Sequence, residues 1–447
     1  SSLKPQASSL KPQASSLKLP ASGPRRRERF AGQPTLVTLA TGRPAATIHL
    51  LSYHIRFIMS ANTQPSSYWW PILAAATALI VVHGFGRFVY TPLLPLLVDD
   101  GLISLPQAAS LATWNYIGYL TGAMLALFLY QRGFGRQALL SMLVGNALIT
   151  LIQVWATYYP LLAGLRLLNG IGNGVVFVLA PALVLEWLVT QSKAHHSGLM
   201  YLGVGVGILG SSLLVDSTGA WLQGANRWIP AAALALPLAL WSAWYLARLP
   251  GHGPVLATGH DDHSALWDRA STPLFLAYAG AGLGYILPMT FLPAVAADWN
   301  IKMVPSVWLL VALASLPSTW LWNHLGARIG DKPALLWNYA MQAISILALL
   351  VLEPKTGLFL CAVLMGGSFI GSVLLTQRLA RTLHPHQGPR LSAALIALYG
   401  FTQLTGPWLA KLGIEGGATL SSTFIWGLAA LIWAFVFMLW VPAQRQH

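Results

Sequence analysis

Three side chains carry formal charge inside otherwise apolar runs of this 447-residue chain: Arg87, Arg166 and Glu186. Placing an arginine at the centre of a bilayer costs about 2.5–3.5 kcal/mol even on lenient insertion scales, so each must face protein, water or a partner. The chemistry to look for is therefore capture of an anionic or hydrogen-bonding group, or movement of a proton. His83, Arg87 and Tyr90 are spaced i, i+4 and i+7, which puts them on one face of an α-helix. Arg87 is the expected anchor on that face, against the alternative that it only pins its helix to a neighbour. His83, whose ordinary pKa lies near neutrality, is a protonation candidate. Asn115 and Tyr119 stand one turn apart and are read as further lining of a cavity. Arg166 shares a face with Asn169 and Asn173 and is the candidate charge relay, with Glu186 as gate or proton carrier. In the second half the polar groups are neutral: Tyr285 and Thr290 are binding candidates, with Asn338, Tyr339, Gln342, Gln377, Tyr399 and Gln403 as further hydrogen-bonding groups.

The elements that must hold these residues follow from apolar length. About 20 helical residues cross the hydrocarbon core of a bilayer, and twelve stretches are long enough: 69–98, 106–130, 137–157, 160–188, 197–215, 228–249, 272–297, 304–324, 334–352, 356–378, 390–412 and 419–441. The predicted class is all-α and integral to the membrane. Its domains are a tail at 1–58, a six-helix unit at 59–249, a polar cytoplasmic linker at 250–271 and a second six-helix unit at 272–447. An internal repeat supports the division. At an offset of 198, Gly84, Gly86, Leu94, Pro95 and Asp100 match Gly282, Gly284, Leu292, Pro293 and Asp298. Lysines and arginines of the short loops gather eleven to four on the side that shares the N-terminus, which predicts both termini in the cytoplasm. Arg132 and Arg136 lie in the loop after the second helix, and Arg328, Asp331 and Lys332 in the loop after the eighth.

Composition excludes several classes. Charged residues make up 9% and hydrophobic residues 55%, far from a soluble enzyme. The formal charge of +14 is no nucleic-acid footprint: nine of the 26 basic residues lie in the first 58, and from Met59 onward 17 basic face 11 acidic residues spread thinly between apolar runs. Residues 1–58 open with three near-copies of SSLKPQA, which lack an apolar seam and read as disordered, dispensable or over-extended sequence. The lone Cys361 builds neither a disulfide framework nor a cysteine metal site. Gly205, Gly207 and Gly210 spell GxGxxG, but inside a membrane span and without a preceding strand, so they are read as helix packing. No metal, cofactor or hydrolytic motif appears.

Four strings carry a family likeness: HGFGRFVYTPLLPLL at 83–97, WNYIGYLTGA at 114–123, RLLNGIGNGVVFVLAPAL at 166–183 and GAGLGYILPMTFLPA at 280–294. They resemble the YbfB/YjiJ group of major facilitator superfamily transporters over about residues 68–441. The resemblance implies two pseudo-symmetric six-helix bundles rocking about a central site, in a multi-pass protein of a bacterial inner membrane, acting as a monomer and not as an enzyme. It implies a secondary carrier of a small organic solute, proton-coupled or facilitative, whose anionic or polar group Arg87 would anchor; the alternative is a multidrug or metabolite efflux pump of the same fold, and more remotely a membrane sensor or enzyme. It also implies that Arg166, with Gly170 and Gly172, takes part in proton coupling. It further implies that the loops after helices 2 and 8 gate the carrier, through Arg132 and Arg136 and through Arg328, Asp331 and Lys332; both lack the leading aspartate of the superfamily's loop signature, which leaves the usual loop-to-helix salt bridge without its ordinary acid.

Overall fold

The computed structural model describes residues 67–250, 267–384 and 388–442. The 1–58 tail and most of the 250–271 linker lie outside those residues. Every regular element described is helical. We number the helices α1 (Trp69–Asp99), α2 (Leu105–Gln131), α3 (Gly135–Trp155), α4 (Tyr159–Thr190), α5 (His196–Thr218), α6 (Gly224–Leu246), α7 (Thr272–Asp298), α8 (Val307–Ile329), α9 (Asp331–Val351), α10 (Pro354–Leu383), α11 (Gly388–Glu415) and α12 (Ser421–Trp440). Among the described residues, nine of these are long and apolar enough to cross a membrane. Their outward faces expose Leu, Ile, Phe and Trp, with Trp155 and Trp221 toward one end and Trp267 and Trp440 toward the other. Such a surface is stable only against lipid, with indoles at the two interfaces.

Packing follows the chain halves. In the first, α2 lies along α4, α1 along α5, and α3 against α4 and α6; in the second, α7 lies along α12 and α11, and α10 against α8 and α9. The halves meet where α2 runs beside α11, α5 beside α8, and α1 beside α7. The small residues of the sequence explain the closest of these approaches. A Cβ on Gly118 would sit 2.2 Å from the Leu167 carbonyl, and one on Gly170 2.1 Å from that of Asn115. Helices driven together without a hydrophobic gain from water need such surfaces. Of the GxGxxG glycines, Gly207 serves the same purpose: it lies against Gly84, where a Cβ would come within 2.5 Å of the Gly207 Cα.

One local departure from the sequence reading bears on the site. Between Ile80 and Phe88 the chain of α1 is a π-helix, with the Val89 amide donating to the Gly84 carbonyl five residues back at 2.8 Å. A π-helical turn holds more residues than an α-helical one, so α-helical spacing no longer decides which side chains share a face.

Candidate functional site

The π-helical stretch puts Arg87 where the two halves meet. Its Nη2 donates to Oε1 of Gln403 on α11 at 2.6 Å. Its guanidinium also lies over the rings of Tyr116 (4.7 Å), Tyr119 (4.9 Å) and Phe88 (5.2 Å), and Tyr285 is near enough to interact with its charge. Arg87 is only 5% exposed and its Nε has no hydrogen-bond partner. A cation this deep, held by a neutral amide oxygen and ring faces, keeps much of the cost of leaving water. Cation–π contacts offset that cost only in part.

Side-chain bonds between the halves run from this centre toward the helix ends that carry Asp100. Thr91 Oγ1 donates to the Met289 carbonyl at 2.9 Å, and Tyr116 and Thr290 share a hydrogen bond of 2.8 Å. Thr91 and Met289 are separated by 198 residues, the offset of the sequence repeat, and Arg87 and Tyr285 are the same distance apart in sequence. Repeat-related positions thus face one another across the junction. Farther out, the Trp308 indole donates to Ser211 Oγ at 3.3 Å, and Ser306 Oγ donates to Asp216 at 2.6 Å while capping the start of α8. Within the first half, Arg227 closes the same end on Asp100 through Nε and Nη2, at 2.5 and 2.9 Å. That pairing and the Gly224 amide hold the Asp100 carboxyl below its ordinary range.

The single face expected for His83, Arg87 and Tyr90 is corrected here, because the wide turn rotates Tyr90 away. Tyr90 donates to the Ala108 carbonyl, lies stacked with Trp228, and has the Arg166 guanidinium 4.6 Å above its ring. His83 packs against Phe177 and edge-on to Tyr119, with no partner at Nδ1. Asn115 and Arg166, expected to line the cavity and relay charge, are instead sealed inside the first half. Asn115 Nδ2 donates to the Arg166 carbonyl at 3.0 Å in the α2–α4 seam. Arg166, 1% exposed, donates from Nη1 to the Gly86 carbonyl at 2.8 Å. The Asn173 amide, oriented to satisfy both its atoms, donates to the Val82 carbonyl at 2.7 Å. Both carbonyls belong to the π-helical stretch, so α4 supplies the donors that its altered hydrogen-bond ladder needs.

At the opposite end Glu186 accepts a hydrogen bond from Tyr130. Arg136 is partly buried with Nε and Nη2 lacking hydrogen-bond partners, and Arg132 lies over Phe128. In the second half Arg328 is exposed, Lys332 donates to the Leu439 and Val441 carbonyls at the end of α12, and Asp331 pairs with Arg378 of α10 at 3.2 Å. The second half therefore does carry a salt bridge at this end, from the first residue of α9 to α10, with the acid at Asp331, four residues beyond the signature position occupied by Ala327. Sequence reasoning missed Tyr116, Phe369 and Tyr278. The signal for Tyr116 was present: Asn115, Gly118 and Gly122 share the face that packs on α4, and Tyr116, about 100° round the helix from Asn115, points away from it. Among the described residues no group of three His, Cys, Asp or Glu could hold a metal ion.

Comparison with known proteins agrees with this architecture. The profile of the family described as "Uncharacterised MFS-type transporter YbfB" matches residues 79–439. A putative metabolite transport protein of Haemophilus influenzae is 24% identical over 341 residues, covering 69% of this chain and 79% of its own. The class C tetracycline resistance protein of Escherichia coli is 25% identical over 394 residues, covering 83% and 96%. Among solved structures, the inward-open conformation of the xylose transporter XylE from Escherichia coli superimposes with a TM-score of 0.65 at 16% identity, covering 84% of this chain and 97% of that one. The nucleoside transporter NupG gives 0.63 at 14% identity, covering 82% and 100%. The fold and the apolar helices thus define a multi-pass membrane transporter of the major facilitator superfamily, not an enzyme. Within that superfamily, the chain belongs to the YbfB-type family.

Proposed function

We propose that this transporter carries a small organic solute with an anionic or strongly polar group by alternating access, and that Arg87 is the anchor for that group. The observation that carries the reading is a guanidinium at the junction of the halves whose side-chain hydrogen bond goes to a neutral amide of the other half. A solute bearing negative charge supplies the counter-charge that the resting site lacks. Binding then changes the contact between the halves, which is what couples occupancy to rocking. Twelve spans in two six-helix bundles provide the moving parts. The Lys/Arg-rich ends with Arg132, Arg136, Arg328 and Lys332 face the cytoplasm in this reading, with both termini there, and those loops with Asp331 and Glu186 gate that side. Bonds from Thr91 to Asp216 close the opposite side.

Proton coupling falls to His83, the titratable group beside Arg87 on the same helix, rather than to Arg166, which is committed to the Gly86 carbonyl. A multidrug exporter is the second reading, favoured by the tetracycline-resistance relative. The charge at the junction is positive, which disfavours cationic drugs. Binding by purified protein tests the anchor: small carboxylates stabilise the wild type against heat, and Arg87→Gln abolishes the shift. Equal shifts in both proteins overturn it.

A further inference from the structure

The surroundings of Arg87 point beyond charge to the shape of the solute. The side-on edge of an arginine offers Nε and Nη2 as a parallel pair of donors matched to the two oxygens of a carboxylate. Here that edge is half used, with Nη2 on the Gln403 amide oxygen and the buried Nε on nothing. A carboxylate that displaces Gln403 fills both positions and neutralises one charge with one. The guanidinium otherwise faces rings, Phe88, Tyr116 and Tyr119 on its own half. Opposite it stands an aromatic ladder of the second half. Tyr278 stacks on Tyr399 with centroids 4.3 Å apart, Tyr399 on Tyr285 at 5.3 Å and Tyr285 on Phe369 at 6.0 Å, with planes within 15° of one another from rung to rung. Phe369 meets Phe88 edge-on, joining the ladder to the arginine's own helix. Toward the Glu186 end the partly exposed Phe177 extends the aromatic wall past Tyr119 to Tyr201. Flat rings favour another flat ring in offset or edge contact over a saturated body of equal size.

We propose that the transported class is a compact aromatic monocarboxylate, its carboxylate on the Nε/Nη2 edge of Arg87 in place of Gln403 and its ring against Tyr285 and Phe369. This rests on the anchor reading above and adds the ring.

The test uses the full-length protein in detergent and three probes measured by calorimetry: sodium benzoate, sodium cyclohexanecarboxylate and benzamide. The expected result is that benzoate binds about tenfold more tightly than either of the others. Tyr285→Leu removes the preference for benzoate over cyclohexanecarboxylate, whereas Tyr285→Phe keeps it. Equal binding of benzoate and cyclohexanecarboxylate by the wild type overturns the aromatic class while leaving the anion anchor standing. Benzoate binding that survives unchanged in Arg87→Gln overturns the anchor and the class together. Absence of saturable benzoate binding to the wild type also overturns the class. The wild-type comparison needs no variant to fold, and Arg87→Lys, which keeps the charge without the side-on edge, is expected to bind benzoate about tenfold less tightly.

Discussion

At the scale of single residues, the proposed function makes the pairing of Arg87 with Gln403 the determinant of what the junction recognises. Glutamine and glutamate have nearly the same shape, so Gln403→Glu sets a built-in carboxylate on the guanidinium without enlarging the side chain. The present bond already has an ionised donor; the glutamate adds an ionised acceptor, and the junction loses its uncompensated charge. Gln403→Glu is therefore expected to raise the melting temperature and to abolish carboxylate binding and uptake, a pattern that thermal unfolding and vesicle flux measure separately. Lower stability with intact carboxylate binding would refute the role of Arg87. Arg166 illustrates the opposite case. Both arginines stand out equally in the sequence as stranded charges, but Arg166 is bound to the carbonyl of Gly86, under the ring of Tyr90. Only its partners distinguish it from Arg87, and they come from helices far apart in the sequence.

At the scale of elements, α1 departs most from its sequence reading. Apolar length places the helix correctly, and the glycines mark close packing. Nothing in residue spacing distinguishes a π-helical ladder from an α-helical one. The difference depends on donors brought by α4, Arg166 to Gly86 and Asn173 to Val82. If α4 holds the wide turn in this way, Arg166→Gln is expected to lower thermal stability by about 1–3 kcal/mol, the range for leaving a buried carbonyl without its donor. The affinity of folded protein for its solute should remain within about threefold of the wild type, less than 1 kcal/mol. Calorimetry on the folded fraction checks this, and a large affinity loss at unchanged stability would place Arg166 in the solute site. Gly84→Ala tests the packing of α1 on α5. The added Cβ meets backbone of Gly207 at 2.5 Å, which side-chain rotation cannot relieve, so a loss of about 1–3 kcal/mol is expected in thermal unfolding.

At the scale of the whole molecule, much of the architecture was legible: apolar runs located the helices, and the 198-residue repeat marked the two halves, but that Arg87 and Thr91 meet Tyr285 and Met289 across the junction emerges only from the fold. The salt bridge between Asp331 and Arg378 was harder to foresee, because motif matching looks for the acid at one fixed position and the chain supplies it four residues later. The closure of the Asp100 end lies between. Asp100 was visible in the repeat, and its partner Arg227 sits at the far end of the same half. This contact has a pH signature. The folded-state pKa of Asp100 lies below its unfolded value, so its stabilisation is complete above the unfolded carboxylate value of about 4 and is lost as pH falls through the lowered folded value. Arg227→Gln is therefore expected to reduce thermal stability at pH 7 and to match the wild type once the carboxylate is protonated in both; a difference that persists in the fully protonated state would assign the effect to packing.

The central claim is that the junction around Arg87 opens to water from both sides of the membrane in turn, and side-specific thiol labelling tests it most directly. Cys361 is buried and is the only cysteine, so Cys361→Ala gives a blank background into which Gln403→Cys is placed beside the intact Arg87. The expected result is that a membrane-impermeant thiol reagent modifies position 403 both in right-side-out and in inverted vesicles, while the Cys361→Ala parent stays unlabelled. Failure to label from either side in functional protein, or labelling from one side alone throughout turnover, would contradict a passage that alternates at Arg87.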